Sequence, residues 1–374
     1  MDSLLRIVSL IPYQIFPARL GGEKGIAVFS DYLGRVTKLT AITTKNNHPS
    51  YAKGYQLLNI IGNSKLRYFN LFLYFRLRKI LRRKKATHLI IEHPYYGWLA
   101  WLLRKNLPIT WVVHSHNIEY MRSKSIGRWW WKALMVYESW VYRNADKVFF
   151  ISEDDRAHAI SHLKVEAGKS LEITYGIEHN HLPGDLPFSR KQIENMYAIR
   201  PNEKILLFNG ALYHSTNFEA LEIILGRINP RLLTQQGFRY KIIICGKGLP
   251  ERFNELKAYA GQNIIYAGFV DDVSVYFKAA DVFLNPILSG GGVKTKAIEA
   301  LAMNCSVVST ELGAMGIERS VCGNKLTVVY EENWDQFAME VIRSSLADDE
   351  IPSSFFTYYY WGNIIDKAVK AIRS

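Results

Sequence analysis

The sequence predicts an α/β protein made of two doubly wound, Rossmann-like domains that face a central cleft. Three observations predict this fold: the length, a series of short apolar runs, and a step in charge at mid-chain. The chain has 374 residues, and at about 150 residues per domain this length corresponds to two domains. Alternation of strands with helix-length segments is typical of parallel sheets covered by helices.

The apolar runs have the length expected of buried parallel strands, and each ends at glycine, proline or polar residues. Six lie in each half: Ile7–Ile11, Leu39–Thr43, His88–Ile91, Thr110–His114, Lys147–Ile151 and Leu171–Thr174, then Lys204–Asn209, Tyr240–Cys245, Asn263–Ala267, Val282–Asn285, Ser306–Ser309 and Leu326–Val329. The stretch 179–189, rich in Pro, Gly and His, is the predicted linker. We expect a ligand in the crevice between the domains, at the carboxyl ends of the strands.

Positive charge is concentrated in the first half. Residues 1–180 hold 27 basic and 13 acidic side chains and carry +14, whereas residues 181–374 hold 20 and 21 and carry −1. In Lys65–Lys85, nine of 21 residues are Lys or Arg and apolar residues recur every three to four positions, so we predict one amphipathic helix. Arg122–Lys132 places three tryptophans among basic residues, a composition expected at membrane interfaces.

We therefore expect both segments to bind an anionic membrane surface. The alternative is that the apolar face packs on the sheet while the charges are solvated. Nucleic acid is not an expected partner, because no recognised nucleic-acid motif is present and the cations cluster with aromatic and aliphatic side chains.

The cysteines and the first residues bear on the compartment. Three cysteines without metal-type spacing indicate a reducing environment. Arg6 interrupts the first apolar run, no small-residue cleavage site follows, and no uncharged stretch reaches about 18 residues. We predict a cytoplasmic protein, peripheral on the inner face of the membrane. No metal site is predicted, because the histidines of HSH and HNH lack partners at ligand spacing.

A glycine-rich loop is the strongest chemical signal. Gly290, Gly291 and Gly292 follow a predicted strand and precede a helix predicted from about Val293 to Met303. Such glycines let backbone N–H groups approach a ligand, and a helix N-terminus favours an anion. Lys294 and Lys296 fall in the first turn, where the macrodipole disfavours cations, so they indicate an outside anion such as a diphosphate. Glu299 can accept hydrogen bonds from a ribose diol. A flexible turn before a solvated helix is the alternative interpretation.

This stretch, GGGVKTKAIEALAMNCSVVSTELGAMGI, resembles the donor-binding signature of retaining GT-B glycosyltransferases of family four, also called glycosyl transferases group 1. Other segments resemble that family in the same order: ARLGGEKG, VVHSHNIEY, ADKVFFISEDD, TYGIE, LLFNGALYHSTN, IIICGKG and YAGFVDDVSVYFKAADVFLNP. The resemblance covers essentially the whole chain. It implies an acceptor-side, membrane-facing domain over 1–182, a nucleotide-sugar-binding domain over 183–355, and a C-terminal helix over 356–374 that crosses back to the first domain.

The resemblance also implies a reaction. A sugar passes from a nucleotide-diphosphate donor to a saccharide or lipid-linked acceptor with retention of anomeric configuration, without cofactor or metal, in cell-surface polysaccharide or glycolipid synthesis. Gly21 and Gly22 are then expected at the donor diphosphate. His116, at the end of the fourth strand, is expected near the transferred sugar. Asn117 and Glu119 are candidates for sugar or acceptor contacts. His114 is expected to point to the opposite face from His116.

Two departures from the family pattern affect the candidate catalytic residues. Most members open the second domain with glycine, arginine and, about six positions on, lysine; here Gly210 is followed by Ala211, and Tyr213–Asn217 holds no cation. Gly291 replaces the first family glutamate. Because a subgroup has a GGG-x-K/R-x-K pattern, our hypothesis is that Lys294 or Lys296, with Lys296 favoured, neutralises the leaving diphosphate. The alternatives are a catalytically degenerate nucleotide-sugar-binding protein and a nucleic-acid-associated α/β protein.

Overall fold

The computed structural model describes residues 4–18, 21–330 and 332–373 and contains two compact units. Unit 1 runs to Gly176 and includes the C-terminal residues from Tyr359 onward; unit 2 is Ile177–Tyr358. Each unit is built on one parallel sheet, seven-stranded in unit 1 and six-stranded in unit 2. Two Rossmann-like α/β domains are therefore present, and the predicted fold class is confirmed.

The sheet of unit 1 has the order β3-β2-β1-β4-β5-β6-β7, and every neighbouring pair is parallel. The chain order reverses between β1 and β4, so the carboxyl ends of these two strands border the place where open α/β sheets bind ligands. The strands are β1 Arg6–Leu10, β2 Lys38–Thr44, β3 Gln56–Ile61, β4 His88–Glu92, β5 Thr110–Ser115, β6 Lys147–Phe150 and β7 Ser170–Glu172.

All of these strands except β3 coincide with predicted apolar runs. β3 lies at the edge of the sheet, where Gln56 and Asn59 interrupt its apolar pattern. The Asn59 amide donates to the backbone oxygen of Asn47 at 2.6 Å and accepts from the Thr43 hydroxyl at 2.8 Å. Asn59 stabilises β3 through these hydrogen bonds but interrupts its apolar run, so a search for apolar runs misses the strand.

Helices cover the sheet of unit 1 in two groups. Side chains of α2, α3, α5 and α6 share one core with alternate residues of β1, β4, β5 and β6, whereas α1 and α14 pack on each other. The helices are α1 Gly21–Val36, α2 Phe72–Lys84, α3 Gly97–Asn106, α4 Glu119–Ser125, α5 Trp131–Asn144, α6 Glu153–Leu163 and α14 Trp361–Arg373. Short 3-10 turns occupy Pro49–Tyr51, Lys65–Phe69, Pro94–Tyr96 and Ala167–Lys169.

The prediction of one helix over Lys65–Lys85 is wrong. Lys65–Phe69 is a 3-10 turn, and α2 begins at Phe72 because the Asn70 side chain accepts from the Phe72 amide at 3.0 Å. Leu73, Leu77 and Leu81 are buried against the core of unit 1. Of the apolar residues before them, Tyr68 packs against this core, whereas Leu66, Phe69, Leu71 and Phe72 are exposed.

The sheet of unit 2 has the order β10-β9-β8-β11-β12-β13 and reverses between β8 and β11. Its strands are β8 Lys204–Asn209, β9 Tyr240–Cys245, β10 Ile264–Gly268, β11 Val282–Asn285, β12 Ser306–Thr310 and β13 Leu326–Val329. Its helices are α7 Leu186–Tyr197, α8 Ser215–Ile223, which continues through the π-helical Ile224–Ile228 into α9 Asn229–Leu233, then α10 Val273–Ala279, α11 Thr295–Ala302, α12 Trp334–Leu346 and α13 Ser353–Tyr359. The 3-10 segments are Glu251–Gln262, Arg319–Val321 and Gly323–Lys325. Within the residues described, no helix has the length and apolarity needed to cross a bilayer.

Candidate active site

The glycine loop of unit 2, residues 286–294, joins β11 to α11 beside the reversal in strand order. Gly290 and Gly292 have φ values of 87° and 74°, which disfavour residues with a side chain. A Cβ at Gly290 would also lie 3.0 Å from the Thr216 side chain of α8. The glycines are therefore required by the path of the loop.

Lys294 is the N-cap residue of α11, which begins two residues later and ends one residue earlier than predicted. The Lys294 ammonium donates to the backbone oxygens of Gly292 at 2.8 Å and Gly291 at 3.3 Å. Burial lowers the pKa of Lys294 to about 8. This lysine thus holds the glycine loop closed against the start of the helix.

Lys296 is directed toward the carboxyl end of β8. Its ammonium donates to Asn217 Oδ1 at 2.9 Å and to the backbone oxygen of Asn209 at 3.2 Å, and it lies 4.9 Å from the centroid of the Phe208 ring. Burial, with a contribution from the Lys294 charge, lowers the pKa of Lys296 to about 7. The described contacts of this ammonium are to neutral groups, so a nearby anion would stabilise its charged form.

Asn217 fixes the position of Lys296, and the sequence did not single it out beyond noting a loop without cations. Its amide group donates to the backbone oxygen of Ala211 at 3.1 Å while its Oδ1 accepts from Lys296. A Cβ on Gly210 would lie 2.7 Å from Asn217 Cγ, so glycine at that position is needed for this approach. In most family members the loop after β8 carries a lysine. Here the same loop carries Asn217, which accepts a hydrogen bond from Lys296 of α11. Glu299, partly buried, lies three residues beyond Lys296 on the same helix, a spacing that makes the two side chains neighbours.

In unit 1, three predicted residues lie near the carboxyl ends of β4 and β5. His116 follows β5, which is the fifth strand and not the fourth, because β3 was missed. Its Nε2 is hydrogen-bonded to Glu92 Oε2 at 2.7 Å, and His114 Nδ1 approaches the same oxygen at 3.0 Å. The expectation that His114 points away from His116 is wrong, since residues two apart along an extended strand lie on the same face.

These groups are buried. Burial, with the adjacent His114, lowers the pKa of His116 to about 3, so its ring is neutral at physiological pH. Burial alone would raise the pKa of Glu92, but His114 and His116 hold it below its usual range. Glu92 is therefore an ionised carboxylate between two imidazoles. Its second oxygen, Oε1, is buried and has no hydrogen-bond partner among the described residues.

A second carboxylate–histidine pair lies beside the first. His93 Nδ1 is 2.9 Å from Glu119 Oε1, and His93 Nε2 is hydrogen-bonded to the Tyr13 hydroxyl at 2.7 Å. The His93 ring centroid is 4.8 Å from that of His116. Burial raises the pKa of Glu119, but His93, Tyr95 and Arg122 together bring it down to about 2. His93 has φ 66° and ψ 161°, a conformation that costs about 1–3 kcal/mol in a residue other than glycine.

The segment that carries His116, Asn117 and Glu119 is fixed by Glu138 of α5. The two Glu138 carboxyl oxygens accept the backbone N–H groups of Glu119 and Tyr120, each at 2.9 Å. These two N–H groups lie in the first turn of α4, where backbone donors have no partner within the helix. Burial raises the pKa of Glu138 to about 7. Asn117 is partly buried, and its backbone oxygen accepts from the Ser115 hydroxyl at 2.9 Å.

Gly21 and Gly22 form the exposed first turn of α1. Arg19 and Leu20 of the ARLGGEKG segment lie outside the described residues. A Cβ on Gly22 would meet no atom within 4 Å, so no contact explains glycine at that position.

One group among the described residues has the composition of a metal site. Ligand atoms of Glu92, His114 and His116 lie within 4.8 Å of one another. Two of these atoms, His116 Nε2 and His114 Nδ1, lie 2.7 and 3.0 Å from Glu92 Oε2. The prediction of a metal-independent protein stays a prediction.

Family models match both units. Residues 203–345 match the model described as "Glycosyl transferases group 1", and residues 54–176 match the "Glycosyl transferase 4-like domain". The chain therefore contains one domain that matches each of these two glycosyltransferase models.

Solved structures share the fold of this chain. Sucrose-phosphate synthase from Thermosynechococcus elongatus is 17% identical with a TM-score of 0.73, and 98% of each chain is covered. Anabaena HepE in complex with UDP is 11% identical with a TM-score of 0.73, covering 98% of this chain and 99% of that chain. The lipopolysaccharide outer core galactosyltransferase WaaB is 13% identical with a TM-score of 0.67 at the same coverage. These likenesses establish the GT-B fold alone.

A curated relative from Klebsiella pneumoniae carries the description "Uncharacterized 44.6 kDa protein in cps region". It is 24% identical over 279 residues, which are 69% of this chain. The matched region spans 65% of the relative, slightly less than two thirds of its length.

Sequence reasoning missed four residues of the site in unit 1: Glu92, His93, Tyr13 and Glu138. A signal for the first two was present, because Glu92 and His93 stand directly after a predicted strand, at the sheet edge where ligands bind. Tyr13 lies three residues past the end of β1, the other strand at the reversal. Glu138 lies within α5 and gives no signal in sequence, because only the fold brings it to the start of α4.

Proposed function

We propose that this protein is a retaining glycosyltransferase that moves a sugar from a nucleotide-diphosphate donor to a saccharide or lipid-linked acceptor in cell-surface polysaccharide or glycolipid synthesis. The observation that carries the proposal is the Lys296 ammonium, held by Asn217 beside a glycine loop and a helix N-terminus. The printed descriptions of relatives support it: HepE binds UDP, WaaB is a galactosyltransferase of the lipopolysaccharide outer core, and the Klebsiella protein is in a cps region.

In this proposal the donor diphosphate binds at residues 290–296. Departure of the nucleoside diphosphate leaves negative charge on a phosphate oxygen, and a preorganised cation stabilises this charge in the transition state. Lys296 supplies the cation, while Lys294 holds the loop whose backbone N–H groups and helix dipole add to the field. Glu299 accepts from the ribose hydroxyls. Gly21 and Gly22 are assigned to the diphosphate, His116 to the transferred sugar, and Asn117 and Glu119 to sugar or acceptor hydroxyls. No metal takes part.

A second candidate is a nucleotide-sugar-binding protein without transferase activity. The observation that favours it is the absence of a cation in Tyr213–Asn217. The contact between Asn217 and Lys296 argues against it, because it brings a cation from α11 to the same loop.

The test of the donor site is a thermal-shift titration with a panel of nucleoside diphosphates. A ligand present at 100 times its Kd stabilises the protein by about 2.7 kcal/mol, which raises the Tm of a domain the size of unit 2 by about 5–10 °C. We expect one base to give such a shift in wild type and a smaller one in Lys296→Met. If no nucleoside diphosphate raises the Tm, the donor-site proposal is wrong. Transfer from the matching nucleotide sugar then separates the two candidate functions.

We also propose that unit 1 binds an anionic membrane. Residues 66–75 form an exposed apolar patch next to a groove of about 500 Å³ lined by residues of 62–72. Its most exposed members are Leu66, Phe69, Leu71, Phe72 and Phe75. The remainder of α2 is strongly basic. Trp129 of Arg122–Lys132 is 89% exposed, and Arg128, Lys124 and Lys132 lie over the rings of Trp130 and Trp131. The first segment leads into α2 and the second into α5, two of the helices that share one core.

The change Phe69→Ser with Phe72→Ser tests this surface. We expect at least a tenfold loss of binding to vesicles that contain phosphatidylserine, because two aromatic side chains no longer enter the interface. Binding of wild type should weaken with salt, since each basic residue near an anionic leaflet contributes about 1 kcal/mol. Flotation with vesicles measures both effects. The matched control is Phe188→Ser, an equally exposed phenylalanine of unit 2. Equal binding by both variants, or tight binding to DNA in place of vesicles, would contradict the proposal.

A further inference from the structure

His116 is held by a network that the family resemblance does not describe. Glu92, the last residue of β4, is buried next to His114 and His116 of the neighbouring strand segment. The register of the sheet places Glu92 opposite His114, and the next outward position is His116. One oxygen, Glu92 Oε2, therefore contacts a nitrogen of each ring, at 3.0 and 2.7 Å.

The hydrogen bond between His116 Nε2 and Glu92 Oε2 determines which nitrogen of His116 carries the proton. An ionised carboxylate only accepts hydrogen bonds, so a ring nitrogen 2.7 Å from it must donate. The proton of the neutral His116 ring then lies on Nε2, and its Nδ1 has a free lone pair. An imidazole in this tautomer accepts a hydrogen bond from a hydroxyl and does not donate one to a phosphate through Nδ1.

We propose that Glu92 is a positioning residue that locks His116 in the Nε2–H tautomer, so that His116 Nδ1 accepts a hydrogen bond from a hydroxyl of the transferred sugar. This role rests on the proposed function, because the sugar is part of it. His114 Nδ1 lies 3.0 Å from the same carboxylate oxygen. Neither ring nitrogen of His114 makes a hydrogen bond with a described group, and the ring lies beside that of Phe29 at 4.6 Å between centroids.

The neighbouring pair of Glu119 and His93 provides an internal control. It has the same composition, a buried carboxylate 2.9 Å from an imidazole, but its carboxylate lies against His93, which meets His116 only through a ring contact of 4.8 Å between centroids. Glu119→Gln should therefore disturb His93 without changing the tautomer of His116.

The first test needs no activity. In protein labelled with ¹⁵N-histidine, long-range ¹H–¹⁵N correlation spectra between pH 6 and 8 distinguish the two neutral tautomers, and His116→Asn identifies the His116 signals. We expect a protonated Nε2 and an unprotonated Nδ1 in wild type, and a mixture of tautomers in Glu92→Gln. Glu119→Gln should keep the wild-type His116 signals. A protonated Nδ1 in wild type would overturn the proposal, as would a stoichiometric metal ion found by elemental analysis, because an ion bound to His116 would occupy a nitrogen that the proposal gives to Glu92 or to the sugar hydroxyl.

The second test is a double-mutant cycle on kcat/KM. We expect Glu92→Gln to lower kcat/KM about tenfold or more, and to cause little further loss when combined with His116→Ala. Glu119→Gln combined with His116→Ala should show the product of the separate losses. Independent losses for Glu92 and His116 would mean that Glu92 acts only on the fold and would refute the positioning role. If the NMR result holds but no nucleotide sugar is turned over, the proposed function fails while the tautomer assignment stands.

Discussion

Lys296→Met is expected to lower kcat about 10²–10³-fold, the loss seen when one preorganised donor to a developing oxyanion is removed. The substitution keeps most of the side-chain length but removes the ammonium that donates to Asn217 and to the backbone of Asn209. Single-turnover transfer from a saturating nucleotide sugar measures the chemical step apart from donor binding. An unchanged rate would show that the leaving diphosphate is stabilised elsewhere.

The matched control is Lys294→Met. Lys294 donates to the backbone oxygens of the glycine loop, so its loss should affect donor affinity more than kcat. A second control relocates the charge: because Asn217 Oδ1 lies 2.9 Å from the Lys296 ammonium, a lysine grown from position 217 reaches the same region. Asn217→Lys combined with Lys296→Asn should regain part of the rate lost in Lys296→Asn alone. Equal rates in the single and double variants would contradict a role for the charge itself.

The pH dependence of kcat/KM is a further test of the role of the Lys296 charge. In the proposed mechanism the protonated form of Lys296 is the active one, and burial and the Lys294 charge lower the pKa of Lys296 to about 7. We expect kcat/KM of wild type to fall as the pH rises through about 7. Lys294→Met removes a like charge, raises the pKa of Lys296 and moves this fall to higher pH.

Trp111→Ala is expected to lower the free energy of unfolding by about 3–5 kcal/mol, the largest stability effect that we predict. Trp111 is the second residue of β5, is fully buried and belongs to the core that α2, α3, α5 and α6 share. Removing the ring leaves a cavity in this core. Urea unfolding followed by circular dichroism measures the change.

Trp129→Ala is the control for this prediction. Trp129 belongs to the same unit but is 89% exposed, so the free energy of unfolding should change by no more than about 0.5 kcal/mol. A comparable loss of stability in both variants would mean that the packing described for β5 is wrong.

The fold was predictable because buried parallel strands are continuous apolar runs. β4, β5 and β8 show this pattern in full. β3 does not, since an edge strand has one neighbour and tolerates Gln56 and Asn59. The prediction of a helix from Lys65 was wrong for a different reason. Apolar spacing continues through the segment, but α2 begins only at Phe72, where the backbone N–H donates to the Asn70 side chain.

The candidate site was predictable only where one segment carries it. Gly290–Gly292, Lys294, Lys296 and Glu299 lie within ten residues, so their types and spacing already indicate an anion site. Asn217 and Glu92 act on residues 79 and 24 positions away, and no local pattern marks such contacts. The direction of the His114 side chain was predicted wrongly. For this reason the sequence did not suggest that His114 and His116 face one carboxylate, that of Glu92.

Glu138 gives α5 a mechanical role in addition to its place in the core. This helix begins at Trp131, within the aromatic segment for which we propose membrane binding. Two turns later, its Glu138 carboxylate accepts hydrogen bonds from the two amides at the start of α4. These bonds fix the end of the segment from Ser115 to Glu119. Under the proposed membrane binding, a rotation of α5 at the bilayer would move the start of α4 and with it the segment that carries His116.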